Sequence, residues 1–191
     1  MVALIRPRGG DFVYSRPEVD AMRRDIYVSL PLGVSGFATG ALLADSTIDV
    51  ERTRALVKAA GELPVTFHRA FDFTPDLATA LEQLIDAGVR RVLTSGRAPT
   101  ALQGANVIAE LVERARGRII VMAGGGIREN NVREVISRTG VSEVHAGISA
   151  PTRSPSPDTT ELKLRKSFPE RELDWDELDE ARMRQLVALT Q

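Results

Sequence analysis

The sequence predicts an α/β fold, a parallel (β/α) barrel that is incomplete at its N-terminus. Three observations carry that prediction. Short apolar runs alternate with longer amphipathic ones along most of the chain, and glycine or proline punctuates the junctions. Within most of the short runs one parity is apolar and the other turns small or polar toward the C-terminal end, as Val65 and Phe67 stand against Thr66 and His68. Strands that alternate with helices must run parallel, because each crossover returns the chain to the same end of the sheet. A strand covered by helices on both faces reads as a continuous apolar run. A barrel strand is covered only on its outside and faces a lumen that opens at the site. The polar parity therefore favours the barrel over the alternative, an open doubly wound sheet.

Taken in order, the strands are expected at 2–5, 36–42, 64–68, 90–94, 118–122 and 142–145, each a short run rich in Val, Ile, Leu or Phe. Helices are expected near 17–30, 49–60, 75–87, 103–116 and 129–139. The third shows the pattern best: Leu77, Leu81, Leu84 and Ile85 recur at offsets of one helical face. Pro75 suits its first turn and Gly88 its end, while Gly61, Gly117 and Gly140 close other helices. Residues 1–150 form the barrel domain on this reading. Residues 151–191 form a Pro/Ser-rich crossover, with Pro151, Pro155 and Pro157, and then a charged C-terminal helix. Asp174 is the expected cap of that helix, with Glu177 at capping-box spacing. Leu178, Met183, Leu186 and Val187 are expected to dock it, with Trp175 packing beside them.

Composition narrows the function. The 191 residues carry 25 Lys and Arg against 26 Asp and Glu, a formal net charge of -1. So balanced a chain has no broad footprint for nucleic acid or an anionic membrane. No apolar run approaches the roughly 20 residues of a membrane span, and the first residues are too soon charged for a signal-peptide core. A cytoplasmic location is expected. Cysteine is absent, which excludes disulfides, thiolate catalysis and thiolate metal sites.

Polar residues gather where strands end. "IRPRGGDF" places Arg6 and Arg8 beside two glycines, a pairing suited to a carboxylate or phosphate or, equally, to a salt-bridged rim. "VTFHRAFD" ends a buried strand in His68, Arg69 and Asp72; a histidine there can serve as acid, base or ligand, or simply as a hydrogen-bonded core residue. Thr94 and Ser95 in "VLTSGR" are ligand hydrogen bonders or caps. Gly124, Gly125 and Gly126 in "VMAGGGIRENN" can cradle an anion on backbone N–H groups, or make a tight turn. His145 in "EVHAG" closes the last strand and could face the lumen that His68 faces.

The motifs "IRPRGGDF", "LPVTFHRAFD", "RVLTSG" and "AGGGI", in this order over residues 2–149, resemble the CutC family. The resemblance implies a TIM-barrel fold, a cytoplasmic location and a role in copper homeostasis with Cu(I) binding; it implies no particular reaction. In that family two further βα units precede the "IRPR" strand, so six strands are expected here, with unpaired edges on the first and last. A homo-oligomer could cover them. Cu(I) prefers soft thiolate and thioether ligands, yet this chain offers only His68, His145 and four methionines, of which Met122 alone lies at a strand end. The metal ligands are therefore unknown. The leading expectation is a copper-homeostasis protein. The alternative is a barrel enzyme acting on a small anionic or phosphorylated metabolite. On that reading Arg6, Arg8 and the glycines hold the anion, while His68 with Asp72 moves protons.

Overall fold

The computed structural model describes residues 1–152 and 175–190. Six strands form one parallel sheet: β1 Val2–Leu4, β2 Gly36–Thr39, β3 Val65–Phe67, β4 Arg91–Thr94, β5 Ile120–Gly124 and β6 Glu143–His145. Their order across the sheet is the order in the chain. A doubly wound sheet reverses direction at a switch point; this one never does. It winds one way and curls into a half-barrel.

The crossovers are α1 Arg16–Ser29, α2 Val50–Ala60, α3 Leu77–Asp86, α4 Ala105–Ala115 and α5 Val132–Thr139. Local sequence starts them cleanly. Asp49 accepts from Arg52 N–H at 3.0 Å and Asp76 from Ala78 N–H at 2.9 Å, each worth about 1 kcal/mol to its helix. Glu18 accepts from the Ser15 backbone N–H at 2.7 Å. All five helices pack on the outer face. Phe67, Val92, Val121 and Ala123 of the sheet meet Leu81, Leu84, Ile108 and Leu111 there, and a second cluster gathers Phe37, Met22, Ile26 and Leu56. Each large side chain so buried contributes roughly 1.5–3 kcal/mol.

The other parity faces the concave side. Register aligns Leu4 with Ala38, Ala38 with Thr66, Thr66 with Arg91, and Met122 with Glu143. Leu4 is 64% exposed on this face. Arg91 forms a two-pronged ion pair with Glu143, reaching from β4 over β5 to β6, with Thr66 at 3.4 Å from its other nitrogen. β1 and β6 are the edges of the sheet.

The C-terminal region departs from expectation. Trp175–Leu178 is a strand, β8, paired antiparallel with β7, Ser149–Thr152. The last helix, α6, spans Glu180–Leu189 and is capped by Asp179, which accepts from Arg182 N–H at 3.1 Å. The expected cap, Asp174, lies outside the described residues. Leu186 is buried and Met183 packs on the core, but Val187 is exposed on α6, and Trp175 and Leu178 are exposed because pairing with β7 holds 175–178 extended. Arg182 fastens α6 through Glu129 at 2.6 and 3.1 Å. No helix among the described residues is long and apolar enough to cross a membrane.

Candidate functional site at the mouth of the half-barrel

The strands' C-terminal ends assemble two groups of donors. The first is built on His68 and Arg6. His68 ends β3 and opens a 3-10 turn, Arg69–Phe73, by accepting the Ala70 N–H on Nδ1 at 3.2 Å. That bond places the neutral ring's proton on Nε2. Nε2 is buried and has no hydrogen-bond partner among the described residues. Burial, opposed by a backbone hydrogen bond and assisted by the nearby Arg6 charge, holds the imidazole down to a pKa of about 4. At neutral pH His68 is therefore uncharged, with its Nε2–H available as a donor.

The ring sits against Gly40, where a Cβ would come within 2.6 Å of Cε1. Phe12 covers it at 5.1 Å between centroids, and the Arg6 guanidinium lies over the same Phe12 ring at 4.7 Å. Arg6 donates through Nη2 to Gly10 O at 2.7 Å, while its Nε is buried without a hydrogen-bond partner among the described residues. The nearby Tyr14 hydroxyl is buried beside Arg6: desolvation raises its pKa, and the Arg6 charge and a side-chain contact with Arg6 oppose that rise. Two N–H donors thus lie close to one aromatic ring, neither with a well-formed hydrogen bond among the described residues. An unmet buried donor costs about 1–3 kcal/mol, which an oxygen-bearing ligand or a water would relieve.

The second group is built on Arg69. Its Nε donates to Asp72 at 2.8 Å and its Nη2 to Ser95 Oγ at 2.7 Å. Asp72, only 6% exposed, also accepts from Thr94 Oγ1 and, at 3.2 Å, from the Ser95 N–H. The carboxylate is a staple between the ends of β3 and β4. No hydrogen bond joins it to His68, so the expected proton relay between them has no path in this geometry. Thr94 and Ser95 are fully buried and their hydroxyls serve Asp72, Arg69 and Ala98. They position Arg69 instead of lining the mouth.

The glycines meet this group directly. A Cβ on Gly125 would stand 3.3 Å from Arg69 Nη1, and its φ of 106° excludes most side chains. Gly124 lies on the concave face, where a Cβ would come within 2.5 Å of Leu93. Arg8 turns elsewhere. It binds Glu18 at 2.6 Å, Asp11 at 2.8 Å and Val13 O at 2.8 Å, and so ties the β1–α1 loop to α1. Together with the Ser15 contacts it lowers the Glu18 pKa to about 2. His145 is exposed on β6, three strands or roughly 14 Å along the arc from His68. It lines a separate groove of about 600 Å³ with Met183 and Leu186. Gly40, Phe12 and Tyr14 are the mouth residues that sequence reasoning missed. Only Phe12, inside "RGGDF", carried a local signal.

The mouth carries N–H donors where a copper ion would need lone pairs. Among the described residues no three His, Cys, Asp or Glu side chains converge as a metal site. His68 presents a proton where a metal would need a lone pair, and the adjacent guanidinium repels a cation. The donor set does not fit Cu(I).

Comparison with known proteins defines the chain's kinship. The CutC family model matches residues 1–150. The chain belongs to the CutC family. It is 50% identical over 145 residues to a CutC protein of Glaesserella parasuis, covering 76% of this chain and 60% of that one. It is 42% identical over 195 residues to a Xanthomonas campestris CutC, covering 100% and 78%. The mouse protein named copper homeostasis protein cutC homolog is 47% identical over 142 residues, 74% of this chain and 52% of that one. The chain thus spans about 60% of the length of the first of these CutC relatives. The CutC structure from Streptococcus agalactiae superposes with a TM-score of 0.73 at 35% identity, over 75% of this chain and 70% of that one. An aldolase at 19% identity and a TM-score of 0.59 shares the fold. The half-barrel shares its fold with the part of that CutC structure it covers.

Proposed function

We propose that this CutC-family protein serves copper homeostasis in the cytoplasm by binding a small oxyanion at its mouth, and not by holding Cu(I) itself. The observation that carries the reading is the pair of buried donors, His68 Nε2 and Arg6 Nε, which lack a well-formed hydrogen bond among the described residues and whose groups both contact Phe12. A carboxylate or phosphoryl oxygen would accept from both. Arg6 supplies the charge, and neutral His68 supplies a fixed N–H to the oxygen. The copper role rests on the names that relatives carry, such as the mouse protein.

The test is a thermal-shift screen of small carboxylates and phosphorylated metabolites, because a ligand that binds the folded state raises its melting temperature. Binding is expected to weaken in Arg6→Gln and in His68→Asn. Stabilisation that is equal in both variants and the unmodified protein would reject the pocket. An anaerobic Cu(I) titration against a competing chelator completes the test. Stoichiometric copper retention lost in His68→Asn would reverse the reading.

A further inference from the structure

The oxyanion pocket leaves the second donor group without a task, and its geometry is that of a site. We propose that Arg69, Gly125 and Gly126 form a phosphoryl subsite, so that the ligand at the mouth is a phosphorylated small molecule. This deepens the preceding reading and rests on it for the remainder of the ligand.

Three features of the group point to a phosphoryl oxygen set. Arg69 is held on two nitrogens, by Asp72 at 2.8 Å and Ser95 at 2.7 Å, while Nη1 donates to no group among the described residues. The oxygens of Asp72 are themselves engaged by Thr94 and Ser95, so its charge is spent behind the guanidinium. Gly125 has no Cβ to stand between Nη1 and the glycine backbone, only 3.3 Å from where that atom would be. The third feature is the backbone. Gly125 O accepts from Ala101 N–H and Gly126 O from the Asn131 side chain, both at 2.9 Å. The first bond fixes the Gly125–Gly126 peptide plane, and in a trans peptide the following N–H points opposite to the carbonyl. The Gly126 N–H is therefore turned away from Ala101, and among the described residues neither it nor the Gly125 N–H has a protein acceptor.

A guanidinium nitrogen without a partner among the described residues, beside bare glycine backbone, suits the oxygens of a phosphoryl group. The position also agrees with chemistry general to parallel barrels, in which loops after the last strands take phosphate; β5 is the penultimate strand of this sheet.

Titration of the full chain with inorganic phosphate, followed by calorimetry and by phosphorus NMR, tests the subsite. Saturable one-site binding is expected. Arg69→Gln should weaken it at least tenfold, and Arg8→Gln, whose guanidinium is turned away onto Glu18 and Asp11, by less than threefold. Arg69→Lys, which keeps a cation beside Asp72 and so protects the fold, should weaken it severalfold through loss of the fork. Near-ultraviolet circular dichroism verifies that each variant is folded. Absence of saturable phosphate binding overturns the subsite, as does unchanged affinity in the folded Arg69 variant. Dependence on Arg69 combined with indifference of larger ligands to Arg6 and His68 would instead preserve the subsite and remove the oxyanion pocket.

Discussion

Acidification from pH 7 to pH 5 should cost the protein roughly 2 kcal/mol through His68 alone. In the unfolded chain this imidazole titrates near its ordinary value of 6.5, while in the fold burial holds it to about 4. Between those values the unfolded state binds a proton that the folded state refuses. Stability therefore falls as pH falls through this window, and the full loss, reached below pH 4, is roughly 3 kcal/mol. Carboxylates with lowered values act lower on the scale. Glu18 contributes fully above its ordinary 4.5 and loses that contribution only as pH drops toward 2. The interval from about 7 to 5 thus belongs chiefly to the histidine. Urea unfolding followed by far-ultraviolet circular dichroism at several pH values across it measures the slope. The same series on His68→Asn should be flatter by the amount stated. Parallel pH profiles for the two proteins would refute the argument that His68 is buried, neutral and uncompensated.

Two further substitutions probe the mouth. Asp72→Asn removes the charge that Arg69 leans on and weakens contacts from Thr94 and Ser95, so a loss of about 3 kcal/mol is expected in urea unfolding; a change below about 1 kcal/mol would show that the staple is dispensable. Gly40→Ala would place a methyl 2.6 Å from His68 Cε1, which should displace the ring, cost about 1–3 kcal/mol, and bring the histidine's NMR titration back toward 6.5.

Much of this architecture was legible because its signals are local. The apolar face of α3 and its cap at Asp76 lie within a dozen consecutive residues, and α3 forms where the spacing predicts it. Boundaries moved where long-range contacts decide them. The fifth strand is expected from 118 but begins at Ile120, because Arg118 turns back to Ala115 O and to Glu82 on α3. Residues 175–178 read as part of a helix, and pairing with β7 makes them a strand. The polar residues of the mouth were visible as types but not as roles. Asp72 finds Thr94 and Ser95 more than twenty positions away, and Gly40 meets His68 only through the register of β2 on β3. The same limit applies to protonation, since no pattern of residue types reveals which ring nitrogen is already occupied.

The pairing of Arg91 with Glu143 has a mechanical consequence. In a flat sheet, strands two apart stand roughly 10 Å from each other, and their side chains project in parallel. These two instead lean together over the hollow of the sheet and fork onto one another from β4 and β6. They act as a bowstring across a bent limb, so straightening the limb must first snap the string. The bend at this end of the sheet is thereby written into two side chains, and it does not wait for the first and last strands to meet.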